Sequence, residues 1–529
     1  MSPGPRTRKF AMLIPISMLA ILLLAAGCTN SPAASSKSSQ FEDKISDITS
    51  APRYAHSSWG IIVVDPATGN TLYEHNADEL FIPASTTKLF SSAAVLEALG
   101  PDYRFRTPVY AMGVVDRAGN LDGNLVLVAS GDLTMGGRTL PDDTIEFMDL
   151  DHGDANALQG AVLTTTDPLA GLDDLASQVK GSGITAVSDV VIDDRMFETI
   201  DQEGMDILSP IVVNDNLVDI TITPEAPGTA PSLAMRPLTA AYHLVNDVTT
   251  GPAGTPLSIE TKEGPSGTIQ VSGTIAADAG PLNQTFSVKT PVAFARTLFV
   301  EALERQGIDV AAGASGDNPV GKLPAAGSYA GARKVAELVS PPLSEDVKLT
   351  LKVSQNMHAH SYIMLLATAS NKPGYYDGMK EEGRILSSIG LDTDTIRLGD
   401  GAGGDSYNRI SPRTAAQLLI LMSKRPSAEK FERAQPILGV DGSLASSCRA
   451  GNTGCGHVYA KTGTLLGYDP MNDRLNLPAK ALAGYVDTKS GKHLVFAVYA
   501  NNVAASDLDQ MMSVGEDLGS IAGLIYEYY

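Results

Sequence analysis

The sequence predicts an α+β protein, an antiparallel sheet covered by helices and interrupted by a large inserted β-rich region. Three observations lead there. Residues 58–64 (SWGIIVV) and 71–75 (TLYEH) flank the turn signal Asp65-Pro66-Ala67-Thr68-Gly69 and read as a hairpin. Toward the other end, 458–464, 480–486 and 493–500 read as three further strands, and 506–526 as a closing amphipathic helix with Ser506 at its N-cap. Between these ends, residues 131–340 change to short strands with Gly and Pro punctuation and polar loops such as 142–154. The expected division is a discontinuous helix-and-sheet domain at 51–130 and 341–529, with an insert at 131–340 made of two smaller domains.

At 529 residues the chain is long enough for several domains, and a 43% hydrophobic content excludes general disorder. A formal net charge of −21 argues against a nucleic-acid partner. Residues 1–28 read as an export signal: Arg6, Arg8 and Lys9 precede an apolar run that ends at Ala26, too short for a stable span. Leu24-Ala25-Ala26-Gly27-Cys28 resembles a bacterial lipobox, with alanine at 25 where leucine is preferred. Lipid on Cys28 would anchor the exported protein to the outer face of the cell membrane; an ordinary cleaved signal would release it. Residues 29–50, which begin TNSPAASSKSSQ, read as a flexible tether. With Cys28 consumed by lipid, Cys448 and Cys455 remain as a pair for a disulfide in an oxidising compartment.

Taken in order, the first hairpin leads to Phe81-Ile82-Pro83, an extended approach to an Ala- and Leu-rich helix that ends near Gly100. Strands are expected at 105–115, 123–129, 186–193 and 211–223, and an amphipathic helix at 168–180. Helices follow at 344–353 and 356–369, and Ser411-Pro412 supplies an N-cap and N1 pair for another through 421.

Chemistry concentrates where the first of these helices begins. Ser85 and Lys88 stand three positions apart, on one helix face, so a neutral Lys88 amine can take the Ser85 proton. The first turn also leaves backbone N–H groups free for a developing oxyanion. A lone Ser-x-x-Lys is weak evidence, and Ser177 with Lys180 repeats it on an ordinary helix surface. Two further elements give the first its weight: Ser354-Gln355-Asn356 between two helices, and Lys461-Thr462-Gly463-Thr464 continuing a strand. In this reading Ser354 relays a proton to the leaving amine, and Asn356 orients Lys88 and holds a substrate amide. Lys461 and Thr462 form a carboxylate corner, Gly463 lets a substrate backbone approach, and the Ser85 and Thr464 N–H groups form an oxyanion hole.

With these elements the chain resembles the penicillin-recognising serine DD-peptidases, the low-molecular-mass class C group of D-alanyl-D-alanine carboxypeptidase/endopeptidases. Further matches are PLSEDVKLTLKVSQN (342–356), VVNDNLVDITITP (212–224), DGAGG (400–404) and VDGSL (440–444). The resemblance implies a penicillin-binding, β-lactamase-like fold and an acyl-enzyme on Ser85. It also implies peptidoglycan stem peptides as substrate and β-lactams as covalent inhibitors, without a metal or cofactor. Three departures stand out: His360 replaces a usual glutamate, Ala402 a usual serine, and residues 468–478 read as an extra loop. His358 and His360, two positions apart on a helix, point to different sides and do not read as a metal pair. Asp400 in its Gly-rich turn reads as structural. The rivals are a β-lactamase or esterase on the same fold, and a cell-wall-binding protein without catalysis. Against the first, no Glu-x-x-x-Asn element of the class A β-lactamase kind lies between Asn356 and Lys461.

Overall fold

The computed structural model describes residues 32–202 and 206–529, with side chains from 37 onward. Cys28 and the signal segment lie outside the described residues. No described helix is long and apolar enough to cross a membrane.

Strand Ser58–Val64 is buried from Trp59 onward because the sheet is covered on both faces. Ile61 and Val63 point to one side and pack with Phe496, Val498 and the terminal helix Leu508–Tyr528 through Ile521 and Ile525. Ile62 and Val64 point to the other, toward Leu89 and Phe90 of helix Lys88–Leu99 and Leu418 of helix Pro412–Met422. The strand order is Val458–Asp469, Arg474–Asp487, His493–Ala504, Ser58–Val64, Thr71–His75, and each neighbouring pair is antiparallel. The two chain ends thus build one sheet. Ser411 caps its helix as expected, accepting from Thr414 N.

Four expectations need correction. The tether expected at 29–50 contains helix Pro32–Thr49, whose Phe41 and Ile45, one turn apart, are buried beside Tyr73, Tyr528 and Tyr529. Phe41, Ile45 and the partly buried Ile48 supply the apolar face that docks it. The boundary at 130 falls too late: strands Arg106–Val115 and Asn120–Val128 pair with Ala186–Asp193 and Arg333–Val339, so they belong to the insert's sheet. Strand pairing is non-local, and composition does not reveal it. Residues 468–478 are no loose loop, since strands 458–469 and 474–487 continue their ladder to the pair Asp469 and Arg474. The terminal helix is capped by Asp507, which accepts from Gln510 N, and not by Ser506. In addition, the strand read at 211–223 is confined to Leu217–Thr223.

The insert has a core of its own, in which helices Ala170–Gly181 and Pro291–Arg305 cover the mixed sheet through Leu172, Leu175, Leu298 and Phe299. Two three-stranded sheets complete it: Leu282–Ser287, Leu217–Thr223, Ser232–Arg236, and His243–Gly251, Thr268–Ala276, Ser258–Glu263. Ser177 is exposed on the first of those helices. Cys448 and Cys455 are disulfide-bonded, with Cα atoms 6.1 Å apart. Their loop is pinned to the terminal helix by Asn452 Nδ2, which donates to Gly519 O at 2.9 Å.

Candidate active site

Lys88 is where the separated motifs meet. It is fully buried at the start of its helix, and Nζ lies 2.9 Å from Ser85 Oγ. The same nitrogen donates to Asn356 Oδ1 at 2.7 Å and to Ala402 O at 2.8 Å. Those two oxygens can only accept, so they use both hydrogens of a neutral amine and leave its lone pair for the Ser85 hydroxyl. Burial lowers the Lys88 pKa to about 8, against the pull of Asp400, Asp206 and Asp154. A lysine this buried is therefore poised to act as a base near neutral pH.

Ser85 itself sits in a one-turn 3-10 helix, Ala84–Thr87, which leads directly into Lys88–Leu99. Ala84 has φ +46°, in the left-handed region. Two glycines make room for this turn. A Cβ on Gly403 would lie 2.0 Å from Ala84 O, and one on Gly463 would lie 2.5 Å from Pro83 O. What a side chain at Gly463 would meet is thus the turn that carries Ser85. Asp400 is structural, as its context suggested: it accepts from Gly403 N, Gly404 N, Asp405 N and Asn408 Nδ2 at 2.7–2.9 Å. By folding the DGAGG turn it aims Ala402 O at Lys88. A main-chain oxygen does this work, so the side chain at 402 is not what Lys88 reads.

Ser354 stands between helices Leu343–Lys352 and Asn356–Ala369 with φ +64°. Its Oγ accepts from Lys461 Nζ at 2.9 Å, joining the second motif to the third. Lys461 also donates to Thr462 O at 3.0 Å. Burial, then repulsion from Lys88 and Lys480 opposed by Asp154, holds Lys461 well below the usual lysine range. Thr462 Oγ1 is 2.7 Å from Ser443 Oγ. Strand Val458–Asp469 is at the sheet edge, and its outward groups follow from parity. Val458 O and Ala460 N bond outward to Leu438 N and Pro436 O. Alternation then turns the N–H and C=O of Thr462 and Thr464 to the same outer side, toward the nucleophile turn packed on Gly463.

The insert supplies a wall that the sequence did not disclose. A cleft beside Ser354 and Asn356 is bordered by Asp154, Asn156, Asp206 and Thr285. Burial raises Asp206 to about 6. Behind the cleft, Asp215 Oδ2 accepts from Arg138 at 2.9 Å and from Gln355 Nε2 at 3.0 Å, and sits 2.9 Å from His152 Nε2. Asp215 Oδ1 is 3.3 Å from His358 Nε2. Asn214, Asp215 and Asn216 all have positive φ, 53–55°, so the strained turn is held where the carboxylate can reach the second motif. His358 and His360 do diverge: His358 faces Asp215 and Asp346, while His360 Nδ1 lies 2.7 Å from Tyr375 OH. Among these, Asp215 and Ser443 fell within quoted motifs (NDN, VDGSL), but only the fold gives them partners.

A serine beside a buried lysine, a second serine tied to a second lysine, and a strand edge facing both form an arrangement that can support serine acyl transfer. The D-Ala-D-Ala carboxypeptidase 3 (S13) family matches residues 41–518, and the chain belongs to that family. It is similar to the D-alanyl-D-alanine carboxypeptidase of Actinomadura sp. (strain R39), 29% identical over 520 residues, covering 93% of this chain and 87% of that protein. D-alanyl-D-alanine carboxypeptidase DacB of Haemophilus influenzae is 24% identical over 477 residues, covering 86% and 87%. The fold matches the crystal structure of penicillin binding protein 4 (dacB) from Haemophilus influenzae with a TM-score of 0.68 at 21% identity, covering 91% of this chain and 99% of that one.

Proposed function

We propose that this chain is a serine DD-peptidase that hydrolyses D-alanyl-D-alanine ends of peptidoglycan stem peptides, and cross-links of like chemistry, through an acyl-enzyme on Ser85. The carrying observation is the Lys88 amine, shared between Ser85 Oγ, Asn356 Oδ1 and Ala402 O. Ser85 Oγ bonds to the carbonyl carbon of the penultimate residue while its proton passes to neutral Lys88. The Ser85 and Thr464 N–H groups receive the oxyanion. The C–N bond then breaks, the leaving amine gains a proton through Ser354, and D-alanine departs. Water attacks the ester, and Ser85 recovers its hydrogen. Asn356 and the edge of Val458–Asp469 hold the peptide, and the Lys461, Thr462 and Thr464 corner reads its terminal carboxylate.

A β-lactam would enter the same path but keep its leaving amine tethered, which obstructs water. Penicillin is therefore expected to acylate Ser85 and to remain attached far longer than a peptide acyl group. The acylation rate should rise with pH through about 8, as Lys88 loses its proton. Stopped-flow acylation, decay of the label and D-alanine release, measured in parallel, check this. Rapid penicillin turnover with no D-alanine release would promote the β-lactamase reading, and no labelling at all the non-catalytic one.

We further propose export and anchoring by lipid on Cys28, supported by the Leu24-Ala25-Ala26-Gly27-Cys28 run. Cys28→Ser is expected to shift the protein from the membrane fraction to the soluble fraction in its native host. Unchanged partitioning would defeat the anchor.

A further inference from the structure

Directly across the ladder from Thr464 stands Lys480. Residues opposite one another leave the same face of a sheet, and here the Lys480 Nζ donates to Thr464 Oγ1 at 2.7 Å. The lysine is half-buried, with its stem against the terminal helix: a Cβ on Gly515 would lie 3.1 Å from Lys480 Cε. The hydrogen-bond partners of the Lys461 and Lys480 ammonium groups are hydroxyls and a carbonyl, with no carboxylate among them in the described residues. Two lysines beside one strand edge thus lack a carboxylate hydrogen-bond partner among the described residues.

The direction of the hydrogen bond adds a second point. Because Lys480 has only donors, Thr464 Oγ1 must accept from it, and the threonine's own hydrogen must point to some other acceptor. The Thr464 side chain shares its face of the edge strand with Thr462, whose Oγ1 lies 3.4 Å from Lys461 Nζ, and the terminal carboxylate of a peptide would be read beside these hydroxyls. Lys461 is wholly buried, and burial with the neighbouring Lys88 holds its amine well below the usual lysine range. Burial lowers Lys480 to about 8, although its side chain is only half-buried.

We propose that Lys480 is a specificity-determining residue for the substrate's terminal carboxylate, orienting the Thr464 hydroxyl as a donor and adding a positive charge beside Lys461. This rests on the peptidase reading above. Lys480 does not touch the reacting atoms, and its effect belongs in binding of the acid and not in the chemical step.

The test compares two N-acylated tripeptides, one ending in D-Ala-D-Ala acid and the other in the corresponding carboxamide, on the exported protein and its Lys480→Met and Lys480→Arg variants. Lys480→Met is expected to raise KM for the acid about tenfold, the scale of one charge-assisted hydrogen bond, with little change in kcat. The carboxamide should be cleaved as before, so the acid-to-amide preference falls by the same factor; Lys480→Arg should restore it. Added salt should weaken acid binding more in the parent than in Lys480→Met. Equal losses on both peptides would mean a merely structural lysine and would overturn the proposal. So would an unchanged preference in a parent enzyme that releases D-alanine, and there the peptidase reading would stand. A parent that cleaves neither peptide would sink both together.

Discussion

Replacing Ser85 with alanine is expected to abolish covalent penicillin labelling and to lower D-alanine release by about 10³-fold or more, the scale seen when an acyl-enzyme nucleophile is removed. The substitution removes a single oxygen from a half-buried side chain in a turn whose shape is set elsewhere, by Gly403 and Gly463. The fold should therefore survive, and an unchanged melting temperature would show it. Lys88 would keep Asn356 Oδ1 and Ala402 O as partners. Ser177→Ala is the control, because Ser177 repeats the Ser-x-x-Lys spacing on an exposed helix face, and it should change nothing. Gel fluorescence after labelling, with mass mapping of the modified peptide, gives the answer. A label surviving in Ser85→Ala would place the nucleophile elsewhere.

Asp215→Asn is expected to cost about 3–5 kcal/mol of stability, the range for breaking a buried ion pair from one side. The carboxylate is buried and balances Arg138, His152 and His358 together. Burial alone would push both imidazoles down, yet Asp215 with Asp219 holds His152 up at about 10, and Asp346 with Asp215 holds His358 there too. A raised pKa stabilises the protonated fold fully below the ordinary value of 6.5, and that contribution is lost as pH rises toward 10. Asp215 works in the opposite sense. Burial would raise it, but Arg138 and the histidines hold it well below 3.8, so its contribution is present above 3.8 and lost as acid protonates it. Urea unfolding of the parent should thus show stability falling between pH 6.5 and 10, and Asp215→Asn should be less stable at pH 6.5 with a flatter alkaline limb. A variant as stable as the parent at pH 6.5 would show that the network carries no net stability.

The sequence by itself determined the local chemistry and the outline of the sheet. Ser85 with Lys88, Ser354 with Asn356, and Lys461 with Thr462 were legible because motif spacing and the strand or helix around each are local properties. So were hairpin Ser58–His75, helix Asn356–Ala369 and the Ser411 cap, where periodicity and turn residues agree. Tertiary structure alone decided what each group is paired with. That Gly463 yields to Pro83 O, that Ser354 accepts from Lys461, and that Asp215 reaches Gln355 are all contacts between segments tens to hundreds of positions apart. The early boundary of the insert has the same origin, since strand Arg106–Val115 looks alike in sequence whether it joins one sheet or another. So does the docked helix Pro32–Thr49: its composition reads as a linker, and only the apolar surface offered by Tyr73 and the terminal helix gives Phe41 and Ile45 somewhere to be buried. Pattern encodes what a segment can be; burial and pairing with distant partners select what it becomes.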